Sequence, residues 1–261
     1  MYEESKDMYE FVDKSEWKPV KVMVENEMFP IAREYLWDNA GIRFDHNIIG
    51  SGKRALIMRE VNGNRGFDLD YDLVIKKSVA AEFNGLKLKE LFRNAFNYGV
   101  RDMEFDAPRN STSVLTIPSY RVESIIGRHG DNQNIHCVPI ALDPWNNFSQ
   151  HYSKIIQYSC DLAIVYDSDE GRNCLHIDKH CLHNRPYFKL RPNSKDLKKK
   201  EMYIRGCPQG SNMIRSVYGE RKNDHRFQDK ASFQIYTETV HDLYNHFKQL
   251  EKNASKSKKK R

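Results

Sequence analysis

Asp68, Asp70 and Asp72 occupy every second position of the segment Phe67-Asp68-Leu69-Asp70-Tyr71-Asp72-Leu73-Val74-Ile75. Successive side chains of a strand point to opposite faces. As a strand, this segment projects three carboxylates from one face and Phe67, Leu69, Tyr71 and Leu73 from the other. Acidic residues are depleted in strands and like charges two residues apart repel, so the row costs stability unless a cation or solvent neutralises it. Hard oxygen ligands of this kind select Mg2+ or Mn2+. The competing reading is an edge strand with one wet, charged face.

Two other segments bear on that choice. Gly50-Ser51 ends an extended run, where a turn of small residues lets backbone N–H groups and a hydroxyl approach phosphate oxygens. Asp161 is the single acid at the start of the apolar run Leu162-Ala163-Ile164-Val165, an expensive position for an aspartate without a task. If that strand pairs beside the first, Asp161 completes a set of carboxylates around two metals, which in such sites lie about 3.5 to 4 Å apart.

Ile49-Gly50-Ser51, then Asp68-Leu69-Asp70, then Asp161, in that order, resemble the signature of the nucleotidyltransferase superfamily typified by DNA polymerase β. That signature is a hydrophobic residue, Gly, and Gly or Ser, followed by a strand carrying Asp-hydrophobic-Asp and a third Asp on a later strand. The resemblance covers residues 44–77 and 158–166 and departs from the pattern twice. The gap from Ser51 to Asp68 is longer than usual and reads as a hairpin where many members have a short helix. Asp70-Tyr71-Asp72 also fits the acid-hydrophobic-acid pattern; Asp68 and Asp70 are preferred, with Asp72 as the spare.

The resemblance implies transfer of a nucleoside monophosphate from a nucleoside triphosphate, with pyrophosphate leaving. It implies that Asp68 and Asp70 hold the metal bridging the triphosphate, and that Asp161 helps bind a second metal and activates the acceptor hydroxyl. Gly50 and Ser51 would bind the β- and γ-phosphates, with Lys53 and Arg54 as further phosphate partners. The superfamily's acceptors include RNA 3′ ends, tRNA, nucleotides, small molecules and proteins. Basic segments in this chain favour RNA or tRNA.

The elements that must position these residues follow from periodicity. Apolar residues at helical spacing predict a helix over 19–39, kinked or split at Pro30 and ended by Gly41. An extended run over 44–49 follows. Residues 55–61 and 67–75 flank Asn62-Gly63-Asn64-Arg65-Gly66 and read as a hairpin. Ser78 caps a helix to about residue 98. Strands are expected at 113–117, 122–126, 135–142 and 158–166, and helices from Pro208 onward, over 211–220 and 232–252. The order predicts an α+β fold, a mixed β-sheet flanked by helices with a helical C-terminal segment. Residues 1–200 are expected to form the catalytic domain, 201–252 the helical segment and 253–261 a basic, disordered tail.

Composition narrows the class of protein. With 39% hydrophobic and 30% charged residues over 261 positions, the chain can bury a core and is not disordered as a whole. No run approaches the roughly 18 apolar residues of a membrane span, and the acidic stretch 1–16 does not read as a signal peptide. Five scattered cysteines do not form a disulfide framework, so a cytoplasmic protein is expected. The net charge of +6 equals that of residues 252–261 alone, leaving 1–251 formally neutral.

Other chemistries fit poorly. Gly50-Ser51-Gly52-Lys53 is not a phosphate-binding P-loop, because Asn47 and Arg54 stand where that pattern needs Gly and Ser or Thr. Cys174, His176, His180, Cys181 and His183 are zinc-ligand types without a common zinc spacing. Cys160 lies in an apolar strand and reads as a structural thiol. The alternative from another class is a non-enzymatic nucleic-acid-binding protein with a degenerate nucleotidyltransferase fold. It would use the tail and Lys195, Lys198, Lys199 and Lys200 beside Tyr203 and Arg205.

Overall fold

A computed structural model of the chain describes residues 9–61, 66–101, 103, 105–124, 152–177, 186–191 and 195–258. It divides into two compact units, Val12–Leu190 on one hand and Met1–Phe11 with Arg191–Arg261 on the other. Strand β1 (Tyr9–Phe11) opens the described chain and belongs to the second unit.

In the larger unit, helix α1 (Lys14–Met23) starts at Asp13, whose side chain accepts from the Ser15 amide at 2.7 Å while Glu16 reaches back to the Asp13 amide. This reciprocal cap satisfies amides that the first helical turn leaves without partners. The break expected at Pro30 takes the form of a π-helical turn over Val24–Met28, after which helix α2 (Phe29–Ala40) begins with Pro30 in its first turn. Proline has no amide to donate and crowds the carbonyl four residues back, so a widened turn just ahead of it relieves both problems. Gly41, left-handed at φ 63°, ends α2 as its sequence position suggests.

Strand β2 (Phe44–Ile48) leads into a short helix α3 (Gly50–Arg54) and strand β3 (Met58–Glu60). The predicted hairpin is therefore not formed. Strand β4 (Phe67–Ile75) lies between β2 and the distant strand β7 (Tyr152–Ser168), and turn residues 62–65 fall outside the described residues. Left-handed Gly50 and Ala55 (φ 56°) bracket a helical turn where the sequence reads as a strand end. The helix expected from 78 to 98 is two: α4 (Lys77–Glu82) and α5 (Gly85–Gly99), the second capped by Asn84, whose side chain accepts from the Leu86 amide.

Among the described residues, seven strands form one mixed sheet. Its path is β2-β4-β7-β6-β5, with β5 at Arg109–Asn110 and β6 at Leu115–Ser124; β8 (Gly171–Ile177) pairs with β7, and β9 (Pro186–Leu190) with β8. Only the β4–β7 pair is parallel among the sheet's described pairings. The expected strand from 122 belongs to the end of β6, the one at 135–142 lies outside the described residues, and β9 was not anticipated.

One face of this sheet is apolar. Phe67, Leu69, Tyr71 and Leu73 of β4 lie in register with Tyr158, Cys160, Leu162 and Ile164 of β7, and all are buried, as is Ile75. Helices α2 and α5 cover them, with Phe29 in edge contact with Tyr71 (5.0 Å) and Phe96 (5.9 Å). Full burial of a side chain such as Phe29 or Phe96 contributes about 2 kcal/mol, enough over this many residues to fix the strand register. With one face committed to the core, the alternate residues of β4 and β7 must occupy the other.

The smaller unit gathers β1 with α6 (Lys195–Gly206), α7 (Gly210–Lys222) and α8 (Ser232–Lys258). Leu197, Ile204, Ile214, Tyr218, Ile235, Tyr236, Val240 and Leu243 are buried there. Asn223 holds β1 by both ends of its amide, accepting from the Tyr9 amide at 2.6 Å and donating to the Tyr9 carbonyl at 2.9 Å. Helix thus begins before Pro208 and runs past residue 252. Among the described residues no helix is long and apolar enough to cross a membrane.

Candidate active site

Register places the predicted residues. On the face opposite the core, Asp70 pairs with Asp161 on the neighbouring parallel strand, and Thr116 of β6 and Arg109 of β5 continue the same row. Adjacent members stand about 4.8 Å apart, the spacing of neighbouring strands. Asp68 pairs with Ser159 one row away. Asp68 is exposed, while Asp70 and Asp161 are half-buried.

The third carboxylate of the β4 row has a different environment. Asp72 is only 1% exposed, and Arg172 Nη1 of β8 lies 2.9 Å from its Oδ2. Arg172 also clasps Asp167 with two hydrogen bonds of 2.8 Å. Beside Asp72, Val74, Ala163, Val165, Cys174 and Val114 pack into a small apolar cluster. A carboxylate in such surroundings needs a cation, and the guanidinium supplies one.

Asp68 and Asp161 are each held by a hydroxyl. Ser159 Oγ donates to Asp68 Oδ1, and Thr116 Oγ1 donates to Asp161 Oδ1 at 2.6 Å. Burial raises the Asp161 pKa above the ordinary carboxylate value; the Thr116 hydrogen bond works against this and the Asp68 charge adds to it. Burial, together with the charges of Asp161, Asp68 and Asp70, pushes the Cys160 thiol up. A thiol held protonated on the core side of the sheet is no nucleophile, in keeping with its sequence reading.

The Gly50 turn abuts this row. The Ile49 amide donates to the Asp70 carbonyl at 2.8 Å, and Arg54 Nη1 donates to the Gly50 carbonyl at 2.8 Å. Gly50 has φ 59°, and a Cβ there would run into the Asp70 carboxylate. Both its conformation and its lack of a side chain are required. Ser51 is half-buried next to it, and Lys53 is exposed.

Among the described residues, no group of three or more Asp, Glu, His or Cys side chains is drawn together closely enough to hold a metal ion as it stands. The donor chemistry of Asp68, Asp70 and Asp161 nonetheless suits a hard divalent cation: oxygen atoms only, from adjacent strands on one face. Of the possible zinc ligands, His176 stacks on Tyr187 and Cys174 is buried; His180, Cys181 and His183 lie outside the described residues. Sequence reasoning missed Thr116, Ser159 and Arg172. The first two left a signal, each being a lone hydroxyl residue between apolar neighbours in a strand.

Known structures share this architecture. The GTP-analogue complex of Escherichia coli DncV, its 3'-deoxy GTP-bound form, matches with a TM-score of 0.53 at 11% identity, over 89% of this chain and 68% of that one. Vibrio cholerae DncV, described as a cyclic AMP-GMP synthase and a prokaryotic cGAS homologue, matches with a TM-score of 0.50 at 10% identity, over 89% and 68%. Against the GTP-bound form of V. cholerae DncV the values are 0.46 and 12%, and this chain spans 52% of that one, about half its length. No family model matches the chain, and no curated protein matches it. The mixed sheet, its flanking helices and its C-terminal helix give the chain the nucleotidyltransferase-like α+β fold of DncV.

Proposed function

We propose that the protein is a metal-dependent nucleotidyltransferase that moves a nucleoside monophosphate from a nucleoside triphosphate to an acceptor hydroxyl. The observation that carries this reading is the pairing of Asp70 with Asp161 beside the Gly50 turn, on a face where another carboxylate of the same strand, Asp72, is already neutralised by Arg172. Asp68, Asp70 and Asp161 are the residues that would hold Mg2+ or Mn2+, which when bound offsets phosphate charge and lowers the pKa of a coordinated hydroxyl. Asp161 would help activate the acceptor hydroxyl, either as its base or by holding the metal that lowers the hydroxyl's pKa. The bond from the acceptor oxygen to the α-phosphorus forms as the bond to pyrophosphate breaks. Gly50 and Ser51 offer backbone amides and a hydroxyl to the departing β- and γ-phosphates, and Lys53 a charge.

A nucleotide is the acceptor the comparisons favour, since V. cholerae DncV is described as a cyclic AMP-GMP synthase. Among the lysines that suggested RNA or tRNA, Lys200 pairs with Asp196 at 2.8 Å. Buried Cys160 and Cys174, thiols outside any disulfide, suit a reducing cytoplasm. The test is incubation of the full chain with each labelled triphosphate and Mg2+ or Mn2+, with and without RNA. Label entering a dinucleotide, or RNA, in the wild type but not in Asp68→Ala/Asp70→Ala supports transfer and names the acceptor. Absence of carboxylate-dependent transfer and nucleotide binding contradicts it and favours a nucleic-acid-binding module.

A further inference from the structure

We propose that Thr116 and Ser159 are positioning residues of this site, whose hydroxyls hold Asp161 and Asp68 in the orientation a divalent cation requires. This rests on the reading of those carboxylates as metal ligands. Each hydroxyl is the cross-strand neighbour of the carboxylate it bonds, Ser159 opposite Asp68 and Thr116 opposite Asp161. The contacts are thus set by sheet register rather than by a chance approach of long side chains.

A hydroxyl has one proton to donate, and here it engages one oxygen of a two-oxygen carboxylate, so the second oxygen of each remains a donor for a cation. The restraint on the hydroxyls is itself firm. Thr116 is β-branched and stiff at χ1 and lies between buried Leu115 and Ile117, while Ser159 is 5% exposed between buried Tyr158 and Cys160. Asp70 is the cross-strand neighbour of Asp161, and its place is bounded by Gly50. Outer partners that orient metal ligands typically account for 10- to 100-fold in metal affinity.

The test is Mn2+ binding by the full-length protein, read from the electron paramagnetic resonance of free Mn2+, alongside the Mg2+ dependence of transfer. Thr116→Val and Ser159→Ala are expected to bind Mn2+ roughly 10- to 100-fold more weakly and to need correspondingly more Mg2+ for half-maximal rate, with kcat at saturating Mg2+ little changed. Thr116→Ser, which keeps the donor, restores near-wild-type affinity. Wild-type affinity in both Thr116→Val and Ser159→Ala overturns the positioning role alone. Mn2+ binding that is absent from the wild type, or unchanged in Asp161→Asn, overturns the metal reading of the carboxylates and this proposal with it.

Discussion

Asp72 and Arg172 are joined at 2.9 Å on the same sheet face that presents Asp68 and Asp70, so one strand carries a carboxylate neutralised by a guanidinium, one held by the Ser159 hydroxyl and one abutting the Gly50 turn. Removing the guanidinium leaves a charge buried beside Val74, Ala163 and Val165. Arg172→Ala is expected to destabilise the larger unit by about 3 kcal/mol, the lower end for a broken buried pair because Arg172 is itself partly exposed. Adding Asp72→Asn to that variant should recover part of the loss. Chemical denaturation of the single and double variants measures both.

Asp161 makes stability depend on pH in a definite direction. Its folded pKa lies above the unfolded one, so the native state binds that proton more tightly, and stability falls as pH rises from about 4 through the raised value. Above that window the cost is constant. Asp161→Asn keeps the acceptor for Thr116 and removes the charge. It should therefore melt higher than the wild type at pH 7 without metal, an advantage that shrinks toward pH 4. Saturating Mn2+ should narrow the gap by stabilising only the wild type. A variant no more stable than the wild type at neutral pH contradicts this account.

Gly50→Ala tests the turn. The left-handed backbone costs a non-glycine residue about 1 to 2 kcal/mol, and the new methyl group meets the Asp70 carboxylate. The expectation is a modest fall in Tm with a much larger fall in transfer rate, because the strain is relieved by moving a ligand. Equal rates in Gly50→Ala and the wild type would falsify the claimed fit between turn and carboxylate.

How far the sequence foretold this site depends on the kind of signal each residue left. Alternation in 67–75 separated core from carboxylates correctly, because a strand's period of two survives any topology. Gly41 marked the end of α2 for an equally local reason, the left-handed cap. The hairpin reading failed because Asn62-Gly63 turn chemistry is a local preference, and the parallel partner of β4 comes from β7, more than eighty residues downstream. The pairing of Asp72 with Arg172 was likewise closed to sequence alone, since Arg172 reaches Asp72 only because β8 folds back on β7. The lysines of α6 suggested a nucleic-acid-binding patch, whereas Leu197 and Ile204 bury one side of a helix.

Metal-dependent transfer in four matched variants, Asp68→Asn, Asp70→Asn, Asp161→Asn and Asp72→Asn, tests the central claim most directly. Loss of a direct ligand should cost more than the loss of an outer partner, so the first three are expected to fall by roughly a hundredfold or more. Asp72→Asn should stay within about tenfold of the wild type, because Asp72 is paired with Arg172. Near-wild-type transfer by Asp70→Asn or Asp161→Asn, or a collapse confined to Asp72→Asn while its fold is intact, would contradict the account.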